Sequence, residues 1–123
     1  MMYEILKTDF KFKDIRGSLT QLAHNGWEQI NVLITHKDVF RGGHYHKKTK
    51  EAFYVISGEL VVTFTDKNGK SEKQVFHSGD FFMIYPFVSH SMDFREETVM
   101  VAMYDKCVVD KNGEKDIFAE TEK

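Results

Sequence analysis

The sequence has 123 residues, of which 41% are hydrophobic and 14% aromatic, enough apolar material for one packed domain over residues 1–123. Its net charge of -2 excludes the strongly basic surface that binding to nucleic acid or to acidic membranes requires. The single cysteine, Cys107, excludes an intrachain disulfide and favours a reducing, cytoplasmic location. Charges interrupt residues 1–17 too often for a signal peptide or a membrane span.

Short apolar runs separated by turn residues predict an all-β fold. In the first clear run Ile30, Val32 and Ile34 alternate with polar neighbours, so we expect these three side chains to face inward. The predicted strands in chain order lie within Glu28 to His36, Glu51 to Thr65 (two strands joined at Ser57-Gly58), Val75-Phe76, Phe81 to Tyr85, Ser89 to Phe94 and Thr98 to Tyr104.

The tetrapeptide Asp-Lys-Asn-Gly occurs twice, at Asp66 to Gly69 and at Asp110 to Gly113. Asn-Gly tolerates the positive φ of a tight hairpin, whereas a calcium-binding loop of the EF-hand type needs further oxygen ligands and a distal Glu. We therefore predict two turns and no calcium site. Beyond Asp105 the sequence is polar, so residues 105–123 are expected to form a frayed tail.

Two histidines, His44 and His46, stand two positions apart, a spacing that places both side chains on one face of an extended strand. Glu51 follows on a neighbouring predicted strand, and His90 lies on a distant one. If these strands meet, three imidazoles and a carboxylate form a site suited to Mn, Fe, Co, Ni, Cu or Zn. In isolation, a histidine pair beside a lysine cluster is equally typical of an exposed surface.

The longer pattern resembles both signature motifs of the cupin family. It reads His44-x-His46-x4-Glu51-x6-Gly58, followed by Gly79-x6-Pro86-x3-His90. The resemblance implies a double-stranded β-helix (a jelly-roll barrel) over residues 28–104, with His44, His46, Glu51 and His90 as ligands of a divalent metal ion.

The second motif departs from the family pattern at three positions. The family has proline, glycine and asparagine where this chain has Tyr85, Phe87 and Phe94. The interval from Gly79 to His90 is preserved, so we expect the strand to be in register and the turn before it to be altered.

A narrower resemblance connects the chain to proteins acting on nucleotide-linked sugars. Arg41 to His46 resembles a segment of dTDP-4-dehydrorhamnose 3,5-epimerases, sugar 3,4-ketoisomerases and the cupin domains of capsular-polysaccharide reductases. The resemblance implies proton abstraction next to a keto group, with His44 as the base. A bound metal would instead make His44 a ligand, and the presence of Glu51 favours the metal.

Four further residues are candidates for contact with substrate. Arg16 and Arg41 can each pair with two oxygens of a diphosphate, although solvated arginines at strand ends are equally in keeping with the sequence. Tyr54 and Tyr104 can enter the barrel, Tyr104 as a catalytic acid and Tyr54 as a substrate contact, or serve only as packing aromatics.

The sequence thus predicts a metal-binding isomerase or epimerase acting on a carbohydrate-type substrate in surface-polysaccharide synthesis. Two alternatives stay open, because one scaffold supports many chemistries: an iron-dependent dioxygenase and a non-catalytic module that binds a sugar or metal. Exposed strand edges and the aromatic content also predict a homodimer.

Overall fold

A computed structural model describes residues 2–120 and is built from β-strands. Within this part of the chain there are twelve strands: β1 (Tyr3–Ile5), β2 (Phe10–Asp14), β3 (Gly17–Gln21), β4 (Gln29–Thr35), β5 (Phe40–Tyr45), β6 (Glu51–Ser57), β7 (Glu59–Thr65), β8 (Ser71–His77), β9 (Phe81–Ile84), β10 (Ser89–Phe94), β11 (Thr98–Tyr104) and β12 (Phe118–Ala119). Residues 2–120 contain no helix with the length and apolar character that a membrane crossing requires. The predicted all-β class is confirmed.

The strands form two five-stranded antiparallel sheets and a separate hairpin of β2 and β3. One sheet has the order β1-β9-β6-β11-β4 and the other β12-β5-β10-β7-β8. Consecutive strands therefore often belong to opposite sheets, as in a jelly roll. This arrangement is the double-stranded β-helix that the two sequence motifs imply.

The main core lies between the sheets and is rich in phenylalanine. Phe76 from one sheet stacks on Phe82 from the other with ring centroids 3.8 Å apart, and Phe64 stacks on Tyr3 at 4.4 Å. Burying a side chain of this size stabilises the fold by about 1.5 to 3 kcal/mol. The aromatic core therefore holds the sheets together at one end of the barrel and leaves the other end for polar residues.

Strand β4 alternates as predicted, but the inward face is the opposite one. Ile30, Val32 and Ile34 are 63%, 67% and 60% exposed, whereas Thr35 is 2% exposed and Leu33 packs on the core. The prediction that the three apolar residues face inward is therefore wrong. The inner face of β4 borders a cavity with Gln29 and Leu33, and the three apolar residues lie on the opposite, outer face.

Both Asp-Lys-Asn-Gly segments form the predicted turns. In each turn the aspartate Oδ1 accepts two backbone N–H groups, those of Asn68 and Lys70 at 2.9 and 3.0 Å in the first. The second turn repeats this geometry at Asp110, with distances of 2.8 and 3.0 Å. Local chemistry is sufficient to specify both turns.

The segment after Asp105 is not frayed within the described residues, contrary to the prediction from its polarity. Strand β12 pairs with β5, with Phe118 opposite Tyr45, and the two rings stack with centroids 5.6 Å apart. A β-bridge joins Val109 to Lys115 around the second turn. Long-range pairing therefore orders a segment whose composition alone favours disorder.

Candidate metal and substrate site

The strand register brings four chemically active side chains to one end of the barrel. His44 on β5 stands opposite His90 on β10 in one sheet, and Glu51 on β6 stands opposite Tyr104 on β11 in the other. Directly opposed residues of antiparallel strands project to the same face. Both pairs project into the barrel, where the sheets meet.

His44, His46, Glu51 and His90 form one compact cluster, as the sequence predicts. Their potential ligand atoms all lie within 4.8 Å of one another. His46, Glu51 and His90 are 4%, 3% and 2% exposed, and His44 is half-buried at the mouth. The rings of His44 and His90 lie 4.5 Å apart between centroids.

Glu51 carries its negative charge inside the barrel. Burial would raise the pKa of Glu51, but the His46 and His90 rings beside it hold the pKa well below its usual range. Oε1 lies 3.0 Å from Nε2 of His46 and 3.2 Å from Nε2 of His90. The carboxylate is therefore ionised and needs a cation beside it.

His46 has an acceptor at each ring nitrogen. Nδ1 donates to the backbone carbonyl of Asp116, and Nε2 faces Glu51. Burial would lower the pKa of His46, but Glu51 and the Asp116 carbonyl outweigh it and raise the pKa. Either a proton or a metal ion bound to Nε2 can therefore lie between His46 and the Glu51 carboxylate.

His44 and Tyr104 complete the electrostatics of the site. Burial, with His90 adding to it, lowers the pKa of His44 to about 4, so its imidazole is neutral near pH 7. Burial and the neighbouring Glu51 charge raise the pKa of Tyr104, so its phenol keeps its proton. The cluster thus offers a neutral nitrogen base and a protonated oxygen close together.

The donor set fits a divalent transition metal. Nδ1 of the buried His90 has no hydrogen-bond partner among residues 2–120, a state that costs about 1 to 3 kcal/mol, and its Nε2 lies 3.2 Å from Glu51 without a well-aligned hydrogen bond. Donor atoms bound tetrahedrally to one zinc ion at about 2.1 Å lie about 3.4 Å apart, so donor atoms that are now up to 4.8 Å apart would have to move closer by about 1 Å. Mixed nitrogen and oxygen donors suit such ions.

The turn before His90 carries side chains that differ from the family pattern. Phe87, which stands where glycine is usual, has φ of 67°, a left-handed conformation uncommon for residues with a side chain. Its N–H donates to the carbonyl of His46 at 2.7 Å. The expected alteration therefore affects the side chains, while the backbone still ties the two motifs together.

The cluster lies in a cavity of about 400 Å³ between the two sheets. Arg41 lines this cavity, and its Nε donates to the buried Thr35 hydroxyl at 2.9 Å, which fixes the guanidinium near the mouth. Residues from strands and from the tail complete the lining: Gln29, Leu33, Gly42, Phe53, Met92, Tyr104, Val108 and Ile117.

Two of the candidate substrate residues, Arg16 and Tyr54, do not line this cavity. Arg16 is at the tip of the β2–β3 hairpin, where its side chain is 82% exposed and pairs with Asp14 at 2.6 Å. Tyr54 points out of the barrel and packs edge-on against Phe81. Each lies on a face that sequence spacing alone does not fix.

Sequence reasoning missed Asp116, which comes from the segment expected to fray. Its carboxylate accepts hydrogen bonds from the loop between His46 and Glu51, and its carbonyl accepts one from His46. A single aspartate in a polar tail gives no local signal of this role. Only the pairing of β12 with β5 places it beside the cluster.

A model of the polysaccharide biosynthesis C-terminal domain family matches residues 12–117. The match spans most of the chain and includes all four clustered residues. No curated protein sequence matches the chain.

Several solved structures share the fold. A variant of the 3,4-ketoisomerase QdtA from Thermoanaerobacterium thermosaccharolyticum, in complex with TDP-4-keto-6-deoxyglucose, is 18% identical with a TM-score of 0.78, covering 98% of this chain and 88% of that chain. The dTDP-4-dehydrorhamnose 3,5-epimerase from Sulfolobus tokodaii is 19% identical with a TM-score of 0.69, covering 85% and 75%. The capsular polysaccharide assembling protein CapF from Staphylococcus aureus is 22% identical with a TM-score of 0.67, covering 94% of this chain and 32% of that chain. These likenesses confirm the cupin fold.

Removing the Glu51 charge should destabilise the metal-free protein strongly. In Glu51→Ala the buried His46 loses its counter-charge, so the free energy of unfolding should fall by about 3 kcal/mol. Glu59→Ala is the matched control, because Glu59 is partly exposed and lies 3.7 Å from Arg95; its loss should stay below about 1 kcal/mol. Urea unfolding at pH 7 with a chelator measures both, and equal losses would contradict the buried pairing.

Proposed function

This chain belongs to the polysaccharide biosynthesis C-terminal domain family, and we propose that it is a metal-binding isomerase or epimerase of a keto nucleotide sugar. The observation that carries the proposal is the buried cluster of three histidines and one glutamate inside a cavity. The likeness in fold to a 3,4-ketoisomerase and a 3,5-epimerase supports the reaction class. The family's description supports a role in surface-polysaccharide synthesis.

His44, His46, Glu51 and His90 would hold the ion, which the donor set restricts to Zn, Mn, Fe, Ni, Co or Cu. When bound, such an ion supplies Lewis-acid polarisation of a carbonyl oxygen. His46 and His90 offer Nε2 toward Glu51, and the Asp116 carbonyl fixes the His46 tautomer that leaves this nitrogen for the ion. The protein thus holds three donors before any ion arrives.

The proposed reaction moves a proton from a carbon next to the sugar's keto group. His44 is neutral near pH 7 and half-buried, so one of its ring nitrogens can accept that proton when it is not a metal ligand. Tyr104 keeps its phenolic proton and lines the cavity, so it can donate to an oxygen or carbon of the substrate. Whether His44 binds the ion or takes the proton separates two versions of the mechanism.

Arg41 is the proposed contact for the diphosphate of the substrate. Its guanidinium lines the cavity and is anchored by the Thr35 hydroxyl at 2.9 Å, so it keeps donor groups free for phosphate oxygens. Arg16, on its exposed hairpin, can serve this cavity only if another copy of the chain brings it there.

We also propose a homodimer formed through the outer face of β4. This strand is a sheet edge, and Ile30, Val32 and Ile34 expose an apolar row on it. An apolar row on an edge strand is a liability for a monomer and is self-complementary across a two-fold axis. A second copy of the chain is therefore the proposed occupant.

A cytoplasmic location completes the proposal. Cys107 is the only cysteine of the sequence and its side chain is exposed, so the chain has no disulfide that would need an oxidising compartment. A nucleotide-linked substrate is compatible with the same location.

Metal content depends on His46 in this proposal. Protein purified without a histidine tag should carry about one ion per chain, and His46→Ala should lose most of it because a buried donor is removed. His77→Ala is the control, since His77 is exposed and pairs with Glu59 outside the cluster. Elemental analysis gives the measurement, and equal metal content in all three proteins would refute the ligand assignment.

Incubation with TDP-4-keto-6-deoxyglucose in deuterated water should introduce deuterium next to the keto carbon, detected by NMR. Tyr104→Phe should slow this exchange by about 100-fold or more, as expected for loss of a proton-transferring group. Tyr85→Phe is the control, because its hydroxyl bonds to Glu4 on the surface at 2.8 Å. Exchange in metal-stripped protein would assign His44 as the base, exchange only with metal would assign it as a ligand, and no exchange in either would overturn the proposed activity.

The dimer should dissociate when a charge enters its apolar row. Val32→Glu should shift the mass measured by light scattering from two chains to one, because the carboxylate would be buried without a partner. Val109→Glu is the control, as Val109 is 49% exposed on the tail turn. A wild-type protein that is monomeric at high concentration would contradict this interface.

A further inference from the structure

Asp116 is bonded to the loop that separates the proposed ligands. Residues 47–50 connect His46 to Glu51, and the Asp116 carboxylate accepts most of the hydrogen-bond donors at the start of this loop. Oδ1 accepts the N–H of Lys47 at 2.9 Å, while Oδ2 accepts the N–H groups of Lys48 and Thr49 at 2.9 Å and the Thr49 hydroxyl at 2.8 Å. Although burial opposes it, these donors lower the pKa of Asp116, so the bonds are charge-assisted.

The carbonyl of the same residue acts directly on a proposed ligand. It accepts the Nδ1 proton of His46, which leaves Nε2 directed at Glu51 from 3.0 Å. A partner at the remote ring nitrogen sets both the tautomer and the orientation of a metal-binding histidine. Asp116 therefore contacts His46 on one side and the loop leading to Glu51 on the other.

Asp116 is itself held by the tail and not by the loop. Its N–H donates to the carbonyl of Val108 at 2.7 Å, next to the bridge between Val109 and Lys115. Two residues later, Phe118 stacks on Tyr45 between the histidines. Asp116 is thus tied to the tail hairpin as well as to the loop, and it connects the two.

We propose that Asp116 is a positioning residue that aligns His46 and Glu51 for the metal ion. This inference rests on the proposed metal site and adds the residue that makes the site rigid before binding. It assigns the C-terminal segment a functional part, because without the carboxylate the loop loses four hydrogen bonds while the ligands themselves are unchanged.

The main test compares the metal affinity of the full chain with that of Asp116→Ala. Affinity for Co²⁺, followed by its visible absorption and by competition with a chelator, should fall by about 10- to 100-fold, the usual effect of losing a residue that orients ligands. Asp66→Ala is the matched control, in the other Asp-Lys-Asn-Gly turn, between β7 and β8. Asp66 also accepts backbone N–H groups, at 2.9 and 3.0 Å, but only within its own turn and away from the tail. Its affinity should stay within about twofold of wild type.

A second readout works without metal and separates this inference from the proposed function. In the metal-free protein, the amides of Lys47 to Thr49 should exchange with deuterium faster in Asp116→Ala than in Asp66→Ala, because only the first variant removes the carboxylate that accepts these N–H groups. If wild type binds no Co²⁺, the metal site fails while these measurements still test the positioning role. Unchanged exchange of these amides would overturn the role of the Asp116 carboxylate.

Asp116→Asn is a milder substitution that tests the same positioning role if the alanine variant does not fold. The amide has one acceptor oxygen, so it can keep at most three of the four bonds and should weaken Co²⁺ binding by a smaller factor than alanine. Thr49→Val removes only the hydroxyl bond and should have a smaller effect still. Wild-type affinity and exchange in Asp116→Asn would contradict the proposal.

Discussion

A carboxylate buried inside the barrel is the constraint on which the rest of the structure depends. Glu51 is 3% exposed, and removing such a charge from water is costly unless opposite charge or a metal ion lies beside it. His46 and His90 lie within 3.2 Å of the carboxylate, and the raised pKa of His46 makes it the counter-charge. His90 reaches Glu51 from the opposite sheet, so the sheets must close over one another at this end, while the pairing of β5 with β10 puts His44 opposite His90 within one sheet.

The polar end of the barrel also determines which residues face solvent. The aromatic core fills the space between the sheets elsewhere, but the cavity is lined on β4 by Gln29 and Leu33. Side chains alternate along a strand, so Ile30, Val32 and Ile34 lie on the face of β4 opposite these two residues. This exposed row provides the surface on which the proposed dimer rests.

The C-terminal segment belongs to the site as much as the barrel does. Asp116 holds the loop between the ligands, Ile117 lines the cavity, and β12 extends the sheet that carries His44. A barrel limited to residues 28–104 would have the four clustered residues but not the contacts that orient them. The family match, which runs to residue 117, includes this segment.

The sequence by itself determined the features that depend on near neighbours or on motif spacing. The two-residue interval put His44 and His46 on one face, the Asp-Lys-Asn-Gly segments formed their turns, and the preserved interval from Gly79 kept His90 in register. These features follow from local backbone geometry or from the motif spacing that this chain shares with the cupin family.

Only the tertiary structure decided the features that depend on which surfaces meet. Alternation along β4 gave the spacing of its apolar residues but not the side that faces the cavity. Arg16 and Tyr54 are plausible by residue type, yet Arg16 lies on an exposed hairpin turn and Tyr54 packs outside the barrel, away from the cluster. Asp116 lies 70 positions from the histidine that it contacts, and its role arises only when the tail pairs with β5. Contacts between residues so far apart along the chain leave no periodicity in the sequence. They form only when the strands of the whole barrel have paired.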